Sequence, residues 1–227
     1  MVTFPTLLAA GYSPIVANVT NTVGLVPGTL SGTIGYRHEL RGQGPRARQL
    51  GAASAAGGVT GAVLLLTLPG SVFNQIVPGL ILVACGLVAV QPRLSRRLAR
   101  RRLAPARHGG PLLFVTVYAT GVYGGYFGAA QGVILIALLA IFIPEDLQRL
   151  NAVKNVLALL VNGVAAVLFI IASHVAWGAA GVLAVGAVLG GQIGAKVGRR
   201  LSPTLLRTII IVVGVIVATK LIFDQLR

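Results

Sequence analysis

Acidic side chains are almost missing: the 227 residues include four Asp and Glu against 19 Lys and Arg. Charged residues make up 10% of the chain, where a soluble domain carries about 25%. That is too little charge to coat a water-facing surface. The single cysteine, Cys85, excludes an intrachain disulfide and a cysteine metal cluster. It lies in an apolar run and reads as a small buried hydrophobe. No HExxH, no phosphate loop and no nucleophile–base pair occurs. The chain is therefore not expected to be an enzyme, and neither a metal nor a cofactor is expected. A net charge of +15 raises nucleic acid as a partner. The Lys and Arg fall in short gaps between apolar runs, however, with no basic stripe interleaved with aromatics, so nucleic-acid binding is not expected.

What the chain has instead is apolar length. It is 56% hydrophobic with a mean hydropathy of +0.88. Apolar segments cover roughly 2–10, 15–36, 50–68, 73–90, 112–143, 147–172, 177–197 and 205–223. Most approach the ~20 residues that cross a bilayer, so the expected fold is an all-α, polytopic transmembrane protein. The first segment has no basic flank and no small-residue cleavage site, unlike a signal peptide.

Charge orients these spans. Arg37, Arg41, Arg46 and Arg48 follow the second segment, and Arg93, Arg96, Arg97, Arg100, Arg101, Arg102 and Arg107 follow the fourth. The positive-inside rule makes both stretches cytoplasmic. The long run 112–143 then poses a problem, because a single crossing would strand Arg199, Arg200 and Arg207 outside. Within it stands "GVYGGYFGAAQG", 121–132, a poor helix interior with five glycines. A hairpin that enters and returns, turning near 124–129, restores the rule. Such a break at membrane depth is tolerated only where protein or a water-filled cavity covers it.

Internal similarity points the same way. "ANVTNTVG" (17–24) lies on "NAVKNVLA" (151–158), and "GGVTG" (57–61) on "GGQIG" (190–194). The charged loops swap sides between the two copies, as two inverted-topology repeats require. Inverted repeats with broken helices are a transporter architecture. The expected organisation is a first transmembrane repeat at 1–92, a basic cytoplasmic loop at 93–110 and a second transmembrane repeat at 111–227. The second repeat opens with the hairpin. Its counterpart should precede residue 15, so about one helix and a Gly-rich turn are expected to be missing from the N-terminus.

Lys154 is the most informative charge, two turns into an apolar helix, where an ionisable group is a functional-site hypothesis. The reading it competes with is snorkelling toward the interface. Asn18, Thr20, Asn21, Thr22, Asn151 and Asn155 supply further donors, or else interhelical hydrogen bonds. Gly124, Gly125 and Gly128 stand where the backbone is expected to turn, and either line a substrate or serve geometry alone. Glycines at every fourth position, such as Gly24, Gly28 and Gly32, suit close helix packing in lipid and make a homodimer a further expectation. Glu39, Glu145, Asp146 and Asp224 stand at loops or ends, as do His38, His108 and His174. Proton coupling would then rest on Lys154 or on the substrate.

"VTFPTLLAAGYSPIVANVTNTVGLVPGTLSGTIGYRHEL", "GVYGGYFGAAQGVILIALL", "RLNAVKNVLALLVN" and "GGQIGAKVGRRL" resemble the TauE/SafE, or sulfite exporter, family of membrane transporters across essentially the whole chain. The resemblance implies a multi-pass carrier of the bacterial inner membrane, exporting small sulfur-containing anions such as sulfite or sulfonates. The residues alone leave open a transporter or channel for other small organic anions, with an intramembrane enzyme a remoter alternative. The substrate-binding positions that the resemblance implies are Asn21, Gly124, Gly125, Gly128, Asn155 and Lys154.

Overall fold

The computed structural model describes residues 3–100, 110–197 and 203–225, and within them every regular element is a helix. In chain order these are α1 (Thr3–Ala9), α2 (Pro14–Gly35), α3 (Gly44–Thr67), α4 (Gly70–Arg100), α5 (Gly110–Tyr126), α6 (Gln131–Phe142), α7 (Leu147–Ala172), α8 (Trp177–Val197) and α9 (Pro203–Gln225). Their limits are set by local chemistry. Gly11, at φ +90°, ends α1 in a conformation that an L side chain resists, and Pro14 opens α2 at a position that needs no N–H. The Asp146 carboxylate caps α7 by accepting from the Gln148 N–H at 2.8 Å.

Of the described helices, α3, the Gly70–Val90 part of α4 and α7 are long and apolar enough to cross a membrane. The basic stretch after that part of α4 does not begin as a loop: the helix runs on through Arg100. Arg101, Arg102, Arg107, His108, Arg199 and Arg200 lie outside the described residues.

The run 112–143 does double back. Leu113 and Val117 near the start of α5 share a core with Leu135, Leu139 and Ile143 toward the end of α6. Phe127, at the turn, belongs to a second core with Phe4, Phe73 and Phe169. Ends together at one core and apex in another make α5 and α6 an antiparallel hairpin. At ~1.5 Å per residue, the 12 residues of α6 reach only about 18 Å, well short of a ~30 Å hydrocarbon core. The hairpin places its non-helical turn against the protein core, with Phe127 and Ala130 buried.

The turn itself departs from the sequence expectation. It occupies residues 127–130, and α5 continues through Gly124 and Gly125 to Tyr126. Of the three glycines placed at the turn, only Gly128, at φ +78°, stands there. The other two serve approach: a Cβ on Gly125 would overlap the Gly58 carbonyl oxygen of α3, and one on Gly124 would overlap the Gln131 side chain.

Small residues knit α3 to this hairpin. A Cβ on Gly57 or Gly61 would collide with the carbonyl oxygens of Tyr118 and Val122, and one on Gly121 would stand 2.6 Å from the Ser54 oxygen. Such close backbone approach is how helices gain packing energy where burial from water is not available. Elsewhere α3 packs on α7, α2 on α7 and α8, and α4 on α9.

Candidate functional site

The break between α5 and α6 collects most of the unusual polar geometry. Ala130, which caps α6, sits in the left-handed region at φ 61°, ψ 7°, a costly conformation for a residue with a Cβ. Gln131 follows as the first residue of α6. Its side chain lies against Gly124, it is 3% exposed, and its Nε2 has no hydrogen-bond partner. A buried amide without a partner is uncommon and calls for a physical reason. The Tyr123 hydroxyl donates to the Ala129 carbonyl and steadies the turn.

Two neighbouring helices reach this break. From α2, Asn18 donates its Nδ2 to the Tyr126 carbonyl at 2.9 Å, leaving its buried Oδ1 unpartnered. From α7, Lys154 lays Cδ, Cε and Nζ along Gly132, at 3.6, 3.9 and 4.0 Å from where a Cβ there would stand. The ammonium thus stands beside the first turn of α6. In that turn the Gln131 and Val133 N–H groups already donate to the Gly128 and Ala130 carbonyls, which leaves the Gly132 N–H without a partner among the described bonds. The turn also carries the positive end of the helix dipole. A cation, a helix N-terminus and an unused amide donor together can hold a small anion.

The remaining sequence candidates stand apart from that cluster. Asn155 faces a cleft of about 380 Å³, lined also by Gly28, Thr29 and Gly32 of α2, Ala158 of α7 and Ala187 of α8. Asn21 accepts from the Thr3 hydroxyl and ties α1 to α2. Gly125 is packed on α3. Gly124 and Gly128 therefore meet at the break, Lys154 lies along Gly132 at the start of α6, Asn155 lines a separate cleft, and Asn21 and Gly125 are engaged in packing contacts. Thr20 accepts from the Ala176 N–H at 3.1 Å, just before α8.

Gln131 went unmarked in the sequence. It is one polar residue at the end of the Gly-rich stretch, and its only signal there was an amide inside an otherwise apolar run.

A polar clasp fixes the start of α7 outside the apolar layer. Glu145 accepts from Arg149 at 3.1 Å and from Gln43 at 3.2 Å, and faces Arg46 at 3.5 Å. Arg149 also donates to the Arg41 carbonyl at 3.1 Å. The loop before α3 and the loop before α7 are held together this way.

Residues 1–221 match the family described as sulfite exporter TauE/SafE. The chain belongs to that family. It is 27% identical over 226 residues to the probable membrane transporter protein YfcA of Escherichia coli K12, covering 99% of this chain and 82% of YfcA. It is 25% identical over 229 residues to a probable membrane transporter protein of Haemophilus influenzae, covering 99% and 87%. It is 26% identical over 228 residues to the probable membrane transporter protein ORF9 of a Sinorhizobium species, covering 99% and 84%. No solved structure matches the chain. Family and relatives together make this TauE/SafE chain a membrane transporter.

Proposed function

We propose that the chain exports small sulfur-containing anions, sulfite or sulfonates such as sulfoacetate, across the inner membrane. The observation that carries this reading is the Lys154 ammonium beside the N-terminus of α6 in a broken hairpin. A charge on a spanning helix is expensive unless it meets a counter-charge, and no carboxylate hydrogen-bonds or ion-pairs with it among the described contacts. A small anion supplies that counter-charge and meets the positive end of α6, where the Gly132 N–H is unpartnered among the described bonds.

Inverted repeats are part of the reading. Exchanging α1–α4 with α6–α9 turns the α2–α8 contact into the α7–α3 contact, α1–α2 into α6–α7, and α4–α6 into α9–α1, and all six are present. With Arg37 and Arg41 inside by the positive-inside rule, the Asn155 cleft lies toward the cytoplasmic half of α2 and α7. It would admit the anion from that side.

Sulfite uptake into proteoliposomes tests the proposal. Wild type is expected to transport sulfite, with Lys154→Gln raising KM about tenfold or more, the size of one lost charge-assisted contact. Transport with an unchanged KM would return Lys154 to snorkelling, and no uptake of sulfite or sulfoacetate would overturn the substrate class.

A further inference from the structure

We propose that Gln131 determines specificity at this anion site by donating its carboxamide to the third oxygen of a three-oxygen sulfur head. The inference rests on the sulfur-anion reading above and goes beyond it by naming the group that discriminates among anions. Its basis is the unpartnered Nε2 on a side chain only 3% exposed. The carboxamide lies in the break, at the first turn of a 12-residue helix, against a glycine that leaves it room. On the next residue of the same turn stands the Lys154 side chain.

The start of α6 offers three donors: the Lys154 ammonium beside Gly132, the Gly132 N–H, which is the one first-turn amide without a backbone partner among the described bonds, and the Gln131 carboxamide. A planar carboxylate presents its acceptor sites near a single plane and meets three non-coplanar donors poorly. Sulfite and sulfonate heads are pyramidal or tetrahedral and present three oxygens. Sites that bury a donor reject ligands that leave it unpaired, and do so far more strongly than apolar pockets reject a wrong size. Gln131 is also held in place: Gly124, the residue it rests on, could not become even alanine without displacing it.

The test uses the full chain in proteoliposomes, with sulfite as the transported probe and methanesulfonate and acetate as competitors sharing a methyl group. Wild type is expected to be inhibited by methanesulfonate at concentrations tenfold or more below those needed for acetate. Gln131→Met should raise the sulfite KM about tenfold, leave the maximal rate within about twofold and collapse the methanesulfonate-to-acetate preference. Gln131→Glu keeps the shape but replaces the donor with a carboxylate, and should abolish uptake. If Gln131→Met does not fold, as judged by circular dichroism and size exclusion, Gly124→Ala displaces the carboxamide while leaving its chemistry intact and should shift the preference in the same direction.

Wild-type uptake with sulfite KM and competitor preference unchanged in these variants would overturn the role of Gln131 and leave the transport reading standing. Absence of wild-type uptake would sink both together.

Discussion

Lys154 and Ala130 each hold an unfavourable local state that their surroundings must offset. Lys154 carries charge on an apolar helix, and Ala130 carries a Cβ at φ 61°. Strained residues of this kind gather where structure serves function. Replacing Ala130 with glycine removes a left-handed penalty of roughly 1–2 kcal/mol and returns part of it as chain entropy, about 0.4–1 kcal/mol. Ala130→Gly should therefore stabilise the protein by on the order of 0.5–1 kcal/mol, read as a higher midpoint in denaturant titration of detergent-solubilised protein. A lower midpoint would mean that the Ala130 Cβ makes contacts worth more than the strain.

At this scale the sequence exposes some residues and hides others. A lysine among apolar residues stands out in any window, whereas the element it meets depends on how α7 packs against α6. Gln131 has no repeat, no spacing and no partner in sequence, and only folding places it against Gly124.

Among the elements, α3 and α5 make the closest approach, and glycine makes it possible. Gly61→Ala places a methyl group on the Val122 carbonyl oxygen. Because backbone must move, the expected cost is about 1–3 kcal/mol, as for overpacked cores. Gly79→Ala in α4 is the control: nothing lies within 4 Å of its added Cβ, and the change should be neutral or stabilising by up to about 1 kcal/mol. Equal destabilisation of both in a thermal melt would contradict the close-approach account.

The clasp at α7 is a weaker device. Glu145→Gln removes two partly exposed ion pairs and should cost about 1 kcal/mol or less, with the difference from wild type shrinking as salt rises. A difference that grows with salt would contradict an ionic clasp.

Helix existence and approximate extent were legible in hydropathy, since apolar runs separated by Gly, Pro and Arg admit few other readings. The turn was legible to within three residues and no better. Gly124 and Gly125 look like turn residues, but their lack of a side chain serves contact with Gln131 and with α3. A glycine that turns the chain and one that admits a neighbour are identical in sequence.

For the whole molecule, the central claim is that 112–143 enters the membrane and returns, presenting a helix N-terminus and Lys154 to one another inside. The doubling back follows from the shared core of Leu113, Val117, Leu135, Leu139 and Ile143, and the proposed sidedness of everything downstream depends on it. The most direct measurement is membrane-impermeant thiol labelling of single cysteines at Leu112, Leu147 and Trp177, all exposed, in a Cys85→Ser background. Right-side-out and inverted vesicles are compared. The account predicts that positions 112 and 147 react from the same, cytoplasmic face and that position 177 reacts from the opposite one. Labelling of 112 and 147 from opposite faces would make 112–143 a single crossing, and would contradict both the hairpin and the site built on it.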